Sequence, residues 1–298
     1  MRIVNIGSAN IDYTYAVDHF VRPGETLASG QVERAAGGKG LNQSISLARA
    51  GCSVWHGGRI GRDGEFLRAL CRENGIHTEY LETVDTPTGH AIIQVVPEGE
   101  NAILLYGGAN RAIDRDFGER ILAACGPEDI LVLQNEISCV NEILEMAARR
   151  RLAVALNPAP MDDQLDPERL AAVRWLILNE TEAEALSGET AAEAQLDVFR
   201  KRFPDTVVIL TVGCEGAWYQ DAGQRFPIGA CPVTAVDTTA AGDTFIGFFL
   251  GAWIRSGDAR QSMRMATKAA ALAVSRPGAV PSIPYWEEVQ SSPWEPAE

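Results

Sequence analysis

Residues 129–158, DILVLQNEISCVNEILEMAARRRLAVALNP, contain the pattern that decides the fold class of this chain. Two apolar runs, DILVLQ (129–134) and LAVALNP (152–158), have the near-continuous hydrophobicity of strands that are buried on both faces of a sheet. The segment between them places apolar residues three and four positions apart, which is typical of a helix that packs on a sheet. A strand, a helix and a second strand in this order predict a βαβ unit with parallel strands.

The same alternation of strand and helix patterns extends along most of the chain. We therefore predict a doubly wound, mostly parallel α/β sheet with helices on both faces. The further strand patterns are RIVNIG (2–7), SVWHGG (53–58), RWLILN (174–179) and TVVILTVG (206–213), and further helix patterns cover 41–51, 64–75 and 180–188.

Two segments break this rhythm, residues 13–34 and residues 88–106. Both alternate apolar and polar residues between turn residues, which predicts antiparallel strands in a small sheet inserted into the α/β body. Ligands of such folds bind at the carboxyl ends of the parallel strands, so a small sheet placed there would act as a lid. We expect residues 1–298 to form a single α/β domain that carries this lid.

Composition and charge exclude several classes of partner. The net charge of −14 and the pI of about 4.8 disfavour nucleic acid and anionic membrane surfaces as partners. The longest apolar run, FIGFFLGAWI (245–254), is too short to span a bilayer, and the first residues lack a signal-peptide pattern. The six cysteines have no spacing that predicts zinc, so free thiols are expected. These features predict a cytoplasmic protein.

The segment VDTTAAGDTFIG (236–247) has the composition of an anion site at the start of a helix. Its small residues, Ala240, Ala241 and Gly242, would leave backbone N–H groups uncovered, so that an anion can approach them. Asp243 would stand beside the anion and could accept a proton from an attacking hydroxyl, as in phosphoryl transfer to an alcohol. Taken alone, the segment fits equally well a helix that is capped by Asp237 or Asp243.

A second glycine-rich segment, AAGGKGLNQSISLARAG (35–51), precedes a predicted helix. It is not a Walker A loop, because Glu33 and Gly40 stand where that motif requires Gly and Ser or Thr, and it does not match the dinucleotide fingerprint. Its glycines would still allow a small ligand to approach the backbone, with Asn42 reaching into the site.

Seven motifs along the chain together resemble the ribokinase family of carbohydrate kinases, the phosphofructokinase-B type. The order and spacing are closer to the ribokinase branch than to the fructose or nucleoside branches, and the resemblance continues through SRPGAVPSIP (275–284). The motifs are GSANID (7–12), AGGKGLNQS (36–44), LQNE (133–136), ALNPAP (155–160), LNETEAEALSG (178–188), TVGCEG (211–216) and VDTTAAGDTFIG (236–247).

The resemblance implies an ATP-dependent sugar kinase that phosphorylates the primary hydroxyl of a pentose, with D-ribose as the first choice. Asp243 would be the base, and the amides of Ala241, Gly242 and Asp243 would form the anion hole, with Ala240 as a further catalytic position in the same turn. The positions matched to sugar binding are Asn10, Asp12, Gly38, Lys39, Asn42 and Glu136, together with Asp243. Taken alone, Asn10 also fits a turn after a strand, Asp12 a solvated loop acid and Glu136 a carboxylate at a helix N-terminus.

The resemblance also implies sites for ATP, Mg²⁺ and a monovalent cation, usually potassium. Glu182 would reach Mg²⁺ through water, although a glutamate in the first turn of a helix is also favoured by the helix dipole alone. The nucleotide positions are Asn179, Glu182, Thr211, Gly213 and Gly216, and the potassium positions are Asp237, Thr239, Arg276, Gly278 and Ser282. Two residues depart from the common pattern: Pro277 weakens the potassium inference slightly, and Cys214 stands where a hydroxyl is usual.

The predicted partners are a small sugar, ATP and a second copy of the chain, joined through the lid sheets. Two alternatives remain open at this point. The chain could phosphorylate another sugar, a sugar acid or a nucleoside on the same fold, or it could be a sugar-binding regulator that has lost turnover.

Overall fold

The computed structural model describes residues 1–297 of the chain. The strands are β1 (Ile3–Ile6), β2 (Asn10–Ala16), β3 (Gln31–Gly37), β4 (Val54–Ile60), β5 (Leu81–Thr83), β6 (Gly89–Val95), β7 (Asn101–Tyr106), β8 (Ile130–Gln134), β9 (Ala153–Asn157), β10 (Trp175–Asn179), β11 (Val207–Thr211), β12 (Ala217–Gln220) and β13 (Arg225–Ile228). The α-helices are α1 (Lys39–Arg49), α2 (Glu65–Glu73), α3 (Arg115–Ala123), α4 (Val140–Arg149), α5 (Glu180–Ser187), α6 (Ala192–Arg202), α7 (Ala241–Ser256), α8 (Ala259–Val274) and α9 (Trp286–Ser291). Short 3₁₀ helices cover Arg62–Gly64, Gly108–Ala112, Pro167–Ala172, Gly213–Glu215 and Val280–Ser282.

The main sheet confirms the predicted α/β class. Within residues 1–297 it has nine strands in the order β13-β12-β11-β10-β9-β8-β1-β4-β5. The pairs from β5 to β11 are parallel, and the hairpin of β12 and β13 adds an antiparallel edge.

The two faces of the sheet bury separate apolar cores. Along β8, Ile130 and Val132 belong to the core under α1, α2, α7 and α8, whereas Leu131 and Leu133 belong to the core under α3, α4, α5 and α6. Successive side chains of a strand point to opposite faces, so a strand buried on both sides needs an unbroken apolar run. This is the physical reason why the chain has runs such as ILVL in its centre.

Close packing of α7 on α1 sets the position of the Asp243 turn. A methyl group on Gly247 would lie 2.1 Å from Ser46 Oγ, and one on Gly251 would lie 2.8 Å from Ala50 Cβ. The Ser46 hydroxyl also donates to the Thr244 carbonyl at 3.0 Å. The two glycines therefore bring the start of α7 directly beside α1.

Over residues 1–297, no helix combines the length and the apolar character needed to cross a membrane.

The lid is a separate sheet in the order β3-β2-β6-β7 in the described part of the chain. Its outer pairs, β2 with β3 and β6 with β7, are antiparallel as expected. The expectation of antiparallel strands is wrong for the central pair, because β2 and β6 run parallel. Each of them continues from a parallel strand of the main sheet, β1 or β5, and leaves the same edge in the same direction. The division of the chain into one domain and a lid remains a prediction.

Candidate active site

The first turn of α7 is open at its N-terminus. Ala240 precedes the helix in the left-handed conformation, with φ of 59°. A methyl group placed on Gly242 would meet no heavy atom of the described residues within 4 Å outside its own helix and neighbours. The space beside Gly242 is therefore open, while the Ala241 amide also donates to the Thr238 carbonyl at 3.3 Å. An open first turn is the arrangement that binds an anion at a helix N-terminus.

Asp243 is buried, with 7% of its surface exposed. Its Oδ1 accepts from Gln43 Nε2 at 2.9 Å, and its Oδ2 accepts from Asn42 Nδ2 at 3.2 Å. Both partners are side-chain amides on α1, so this carboxylate is aligned by α1 and does not act as a helix cap. The other aspartate of the motif, Asp237, accepts from the Thr239 amide at 2.9 Å and stabilises the turn before α7.

Asn10 and Asp12 lie at the base of the lid, on one face of β2. Asn10 Oδ1 accepts from Asn110 Nδ2 at 2.7 Å, while Asn110 Oδ1 accepts from the Ala9 amide at 3.1 Å. Burial, together with the charge of Glu136, raises the pKa of Asp12 to about 6. A methyl group on Gly37 would lie 1.9 Å from the Asp12 carboxylate, so a larger residue there would have to displace that carboxylate.

Glu136 is aligned at the start of α1. Its Oε2 accepts from Ser8 Oγ at 2.5 Å and from the Lys39 amide at 3.0 Å. Gly38 takes φ of 91° immediately before the helix, a conformation that favours glycine. The structure therefore brings Gly38, Lys39 and Glu136 together.

Lys39 is a cation surrounded by acids. Burial opposes its charged form, but nearby carboxylates raise its pKa above the usual value for lysine. They are those of Asp243, Glu136 and Glu182. A cation in this position would lie between the sugar side and the phosphate side of the site.

A cavity of about 710 Å³ lies on the other side of the Asp243 turn. Four of the predicted nucleotide positions line it, namely Asn179, Thr211, Gly213 and Gly216. The cavity adjoins a smaller one of about 200 Å³, and both are lined by Asn179, Thr211 and Gly242. Glu182, Lys39 and Asp243 line the smaller cavity. A nucleotide-sized space thus leads to the buried aspartate.

Gly216 shapes the wall of the larger cavity. It has φ of 107°, and a methyl group there would lie 2.1 Å from the Ile228 carbonyl oxygen.

Two further side chains of the larger cavity are Cys214, which is exposed and belongs to the same motif as Gly216, and Thr267 on α8. Thr267 Oγ1 is buried and has no partner among the described residues. Sequence reasoning missed Thr267, because it stands in the middle of an ordinary amphipathic helix without a motif.

Asn179 and Glu182 form a capping box at the start of α5. The Asn179 amide donates to Glu182 Oε2 at 2.8 Å, and the Glu182 amide donates to Asn179 Oδ1 at 3.0 Å. The pKa of Glu182 is raised, chiefly by burial and further by the charge of Asp243. The box fixes the Glu182 side chain toward the smaller cavity, so capping and a role at the site are compatible.

The two loops assigned to a monovalent cation are joined by Asp237. Besides the Thr239 amide, its carboxylate accepts from Thr239 Oγ1 at 2.6 Å and from the Gly278 amide at 2.8 Å. The Arg276 side chain turns away and pairs with Glu288 at 2.7 Å, and Ser282 Oγ donates to the Ala279 carbonyl at 2.7 Å. Among residues 1–297 no cluster of three or more His, Cys, Asp or Glu side chains could hold a metal ion.

The chain is similar in sequence and in fold to known carbohydrate kinases. The model of the pfkB family of carbohydrate kinases matches residues 1–286. The chain is 36% identical over 293 residues to the ribokinase of Haemophilus influenzae, covering 95% of each protein. It is 31% identical over 303 residues to the deoxyribokinase of Salmonella typhi, covering 97% of each. The structure of Arabidopsis thaliana ribokinase complexed with ribose and ATP matches with a TM-score of 0.86 at 30% identity, covering 97% of each chain.

Proposed function

The chain belongs to the pfkB family of carbohydrate kinases, and from this premise we propose that it transfers the γ-phosphoryl group of ATP to the primary hydroxyl of D-ribose. The product would be ribose 5-phosphate. One observation carries the proposal: Asp243 lines the smaller cavity beside the nucleotide-sized one, and Lys39 in the same cavity lies close to the carboxylates of both Asp243 and Glu136. The similarity to ribokinases over nearly the whole chain supports ribose as the acceptor.

The residues around Asp243 suit phosphoryl transfer to an alcohol. Asp243 takes the proton of the sugar hydroxyl, the hydroxyl oxygen forms a bond to the γ-phosphorus, and the bond from that phosphorus to the bridging oxygen of ADP breaks. The amides of Ala241, Gly242 and Asp243 and the Lys39 ammonium stabilise the negative charge of the transferred group. Positioning and charge stabilisation thus supply most of the catalysis.

The sugar side offers acceptors that match a polyol. Asn42 Oδ1 is buried and has no partner among residues 1–297, and the Asp12 carboxylate is desolvated. An unpartnered buried acceptor is costly, so a sugar hydroxyl that donates to it is bound selectively. Asn10, Gly38 and Glu136 complete this side of the site.

Two ions complete the proposed site. Mg²⁺ would be held mainly by the ATP phosphates and, through water, by Glu182, and it would neutralise the charge of the leaving group. Within residues 1–297 no group of three or more His, Cys, Asp or Glu side chains could hold a metal ion by itself, which fits an ion that arrives with the nucleotide. Potassium would bind between two loops that the Asp237 carboxylate joins through the Gly278 amide, and it would stiffen the turn before α7. The first loop contains Asp237 and Thr239, and the second contains Arg276, Gly278 and Ser282.

We further propose a cytoplasmic homodimer that associates through the lids. The described cysteines are free thiols, which fits a reducing compartment. On the lid, Ile103, Leu104 and Leu105 are 59%, 68% and 44% exposed, and β7 is an edge strand. An exposed apolar edge of this kind favours association with a second sheet.

A coupled assay of ADP formation over a panel of acceptors tests the function. We expect the highest kcat/KM for D-ribose with Mg-ATP, and a further increase when potassium is added. Deoxyribose is the second candidate, because the similarity to deoxyribokinase covers the same length. A preference for a keto sugar, a sugar acid or a nucleoside would overturn the ribose assignment, and no turnover with any acceptor would favour a regulator.

A further inference from the structure

We infer that Gln43 is a positioning residue for Asp243, held in place by a buried chain of amides that ends at the backbone of α1. The inference rests on the proposed function, because Asp243 is the base in that proposal. The contact itself is direct: Gln43 Nε2 donates to Asp243 Oδ1 at 2.9 Å. The same nitrogen lies 3.4 Å from Asn157 Oδ1, so the amide is held from two sides.

The chain of hydrogen-bonded amides continues behind Gln43. Gln43 Oε1 accepts from Gln134 Nε2 at 2.6 Å, and Gln134 Nε2 also donates to Asn5 Oδ1 at 3.0 Å. Asn5 Nδ2 in turn donates to the Gly40 carbonyl at 2.7 Å and to Ser44 Oγ at 2.8 Å. Gln43, Gln134 and Asn5 are each 0% exposed, so water does not compete for these bonds.

The direction of every amide in this chain is determined by its two ends. An ionised carboxylate only accepts hydrogen bonds, so Gln43 must turn its NH₂ group to Asp243 and its carbonyl to Gln134. The Gly40 carbonyl at the other end also only accepts, so Asn5 must turn its NH₂ group there. Reversing one amide would place two acceptors or two donors face to face, which is costly in a buried site.

The network joins three strands and a helix around the base. Asn5 lies on β1, Gln134 on β8 and Asn157 on β9, at or near the carboxyl ends of these strands, and Gln43 lies on α1. The main sheet therefore helps to set the rotamer of a residue on α7. Catalytic groups need such support, since a displacement of about 1 Å can cost up to about 10²-fold in rate.

The test compares Gln43→Met with Gln134→Met and with a matched control. Methionine keeps the approximate size of glutamine but removes the amide. For Gln43→Met we expect kcat to fall about 10-fold, with the KM values for ribose and ATP within about twofold of the unchanged protein, because orientation of the base is lost while the substrate contacts remain. For Gln134→Met, one bond further away, we expect a fall in kcat of about threefold.

Gln220→Met is the control, because Gln220 is also a buried glutamine, 2% exposed. Its side-chain amide is hydrogen-bonded to the Leu196 carbonyl and to Arg225, near the opposite edge of the sheet. The kcat of Gln220→Met should be unchanged. Unchanged kcat in folded Gln43→Met, or an equal fall in the control, would overturn the inference, and if Gln43→Met does not fold, unchanged kcat in Gln134→Met would do so. Absence of sugar phosphorylation by the unchanged chain would instead refute the proposed function.

Discussion

At the scale of single residues, Asp243 combines burial with two amide donors from α1. Replacing it with asparagine keeps the shape of the side chain and removes the proton acceptor. We expect Asp243→Asn to lower kcat at least about 10²-fold, while ribose binding measured by calorimetry changes little. Asp258→Asn is a suitable control, because Asp258 only caps α8 through the Gln261 amide and asparagine caps equally well. Near-normal turnover by Asp243→Asn would refute its role as the base.

Asp12 is a proposed sugar-binding residue that lowers the stability of the ligand-free protein at neutral pH. Its pKa in the folded protein is about 6, above the ordinary 3.8, so the folded state holds this proton more tightly than the unfolded state. The contribution of Asp12 to the free energy of unfolding is therefore largest at low pH, and it is lost as the pH rises from about 4 to about 6. We expect Asp12→Asn to raise the melting temperature of the ligand-free protein by several degrees at pH 7.5 and to raise the KM for ribose. A lower melting temperature at pH 7.5 would contradict this account.

Sequence motifs located the residues that would face the ligands, and the structure brings most of them to one edge of the sheet. They did not predict the roles of the residues behind them. Gln43 and Gln134 stand inside the motifs AGGKGLNQS and LQNE, and Asn110 stands outside any motif. All three act through amide contacts between segments about 100 residues apart, or more, which no local pattern encodes. Arg276 shows a different limit of the motifs. Its position is matched to the potassium site, but its side chain pairs with Glu288.

At the scale of elements, two of the glycines of α7 are small for opposite reasons. Gly242 borders open space at the start of the helix, whereas Gly247 touches Ser46 on α1. We expect Gly242→Val to fold with a nearly unchanged melting temperature and to lose at least about 10-fold in kcat/KM for ATP, because the side chain would occupy the anion site. Gly247→Ala, the matched control, should lower the melting temperature. A strongly destabilised but fully active Gly242→Val variant would show that this turn does not bind phosphate.

The strands of the sheet were predictable because burial on both faces requires continuous apolar runs. The lid was less predictable. Alternation predicts a half-exposed strand but does not specify its partner, and the parallel pairing of β2 with β6 joins segments separated by more than 70 residues. That pairing follows from where the two strands leave the main sheet, which is a property of the whole topology.

At the scale of the whole molecule, the exposed apolar edge of the lid leads to a prediction about assembly. With a chain mass of 32.2 kDa, sedimentation of the unchanged protein should give about twice that mass. The double substitution Ile103→Asp with Leu104→Asp should give the monomer mass, because it places charges on both faces of β7. A monomeric unchanged protein, or a dimer that survives the double substitution, would refute association through the lid.

The central claim is that the Asp243 turn transfers a phosphoryl group from ATP to the primary hydroxyl of ribose. The most direct measurement is phosphorus NMR of the product formed from D-ribose and Mg-ATP. We predict one phosphomonoester, coupled to the two hydrogens on C5, in a one-to-one ratio with ADP. Phosphate on another carbon, or ADP with free inorganic phosphate and unchanged ribose, would contradict the account.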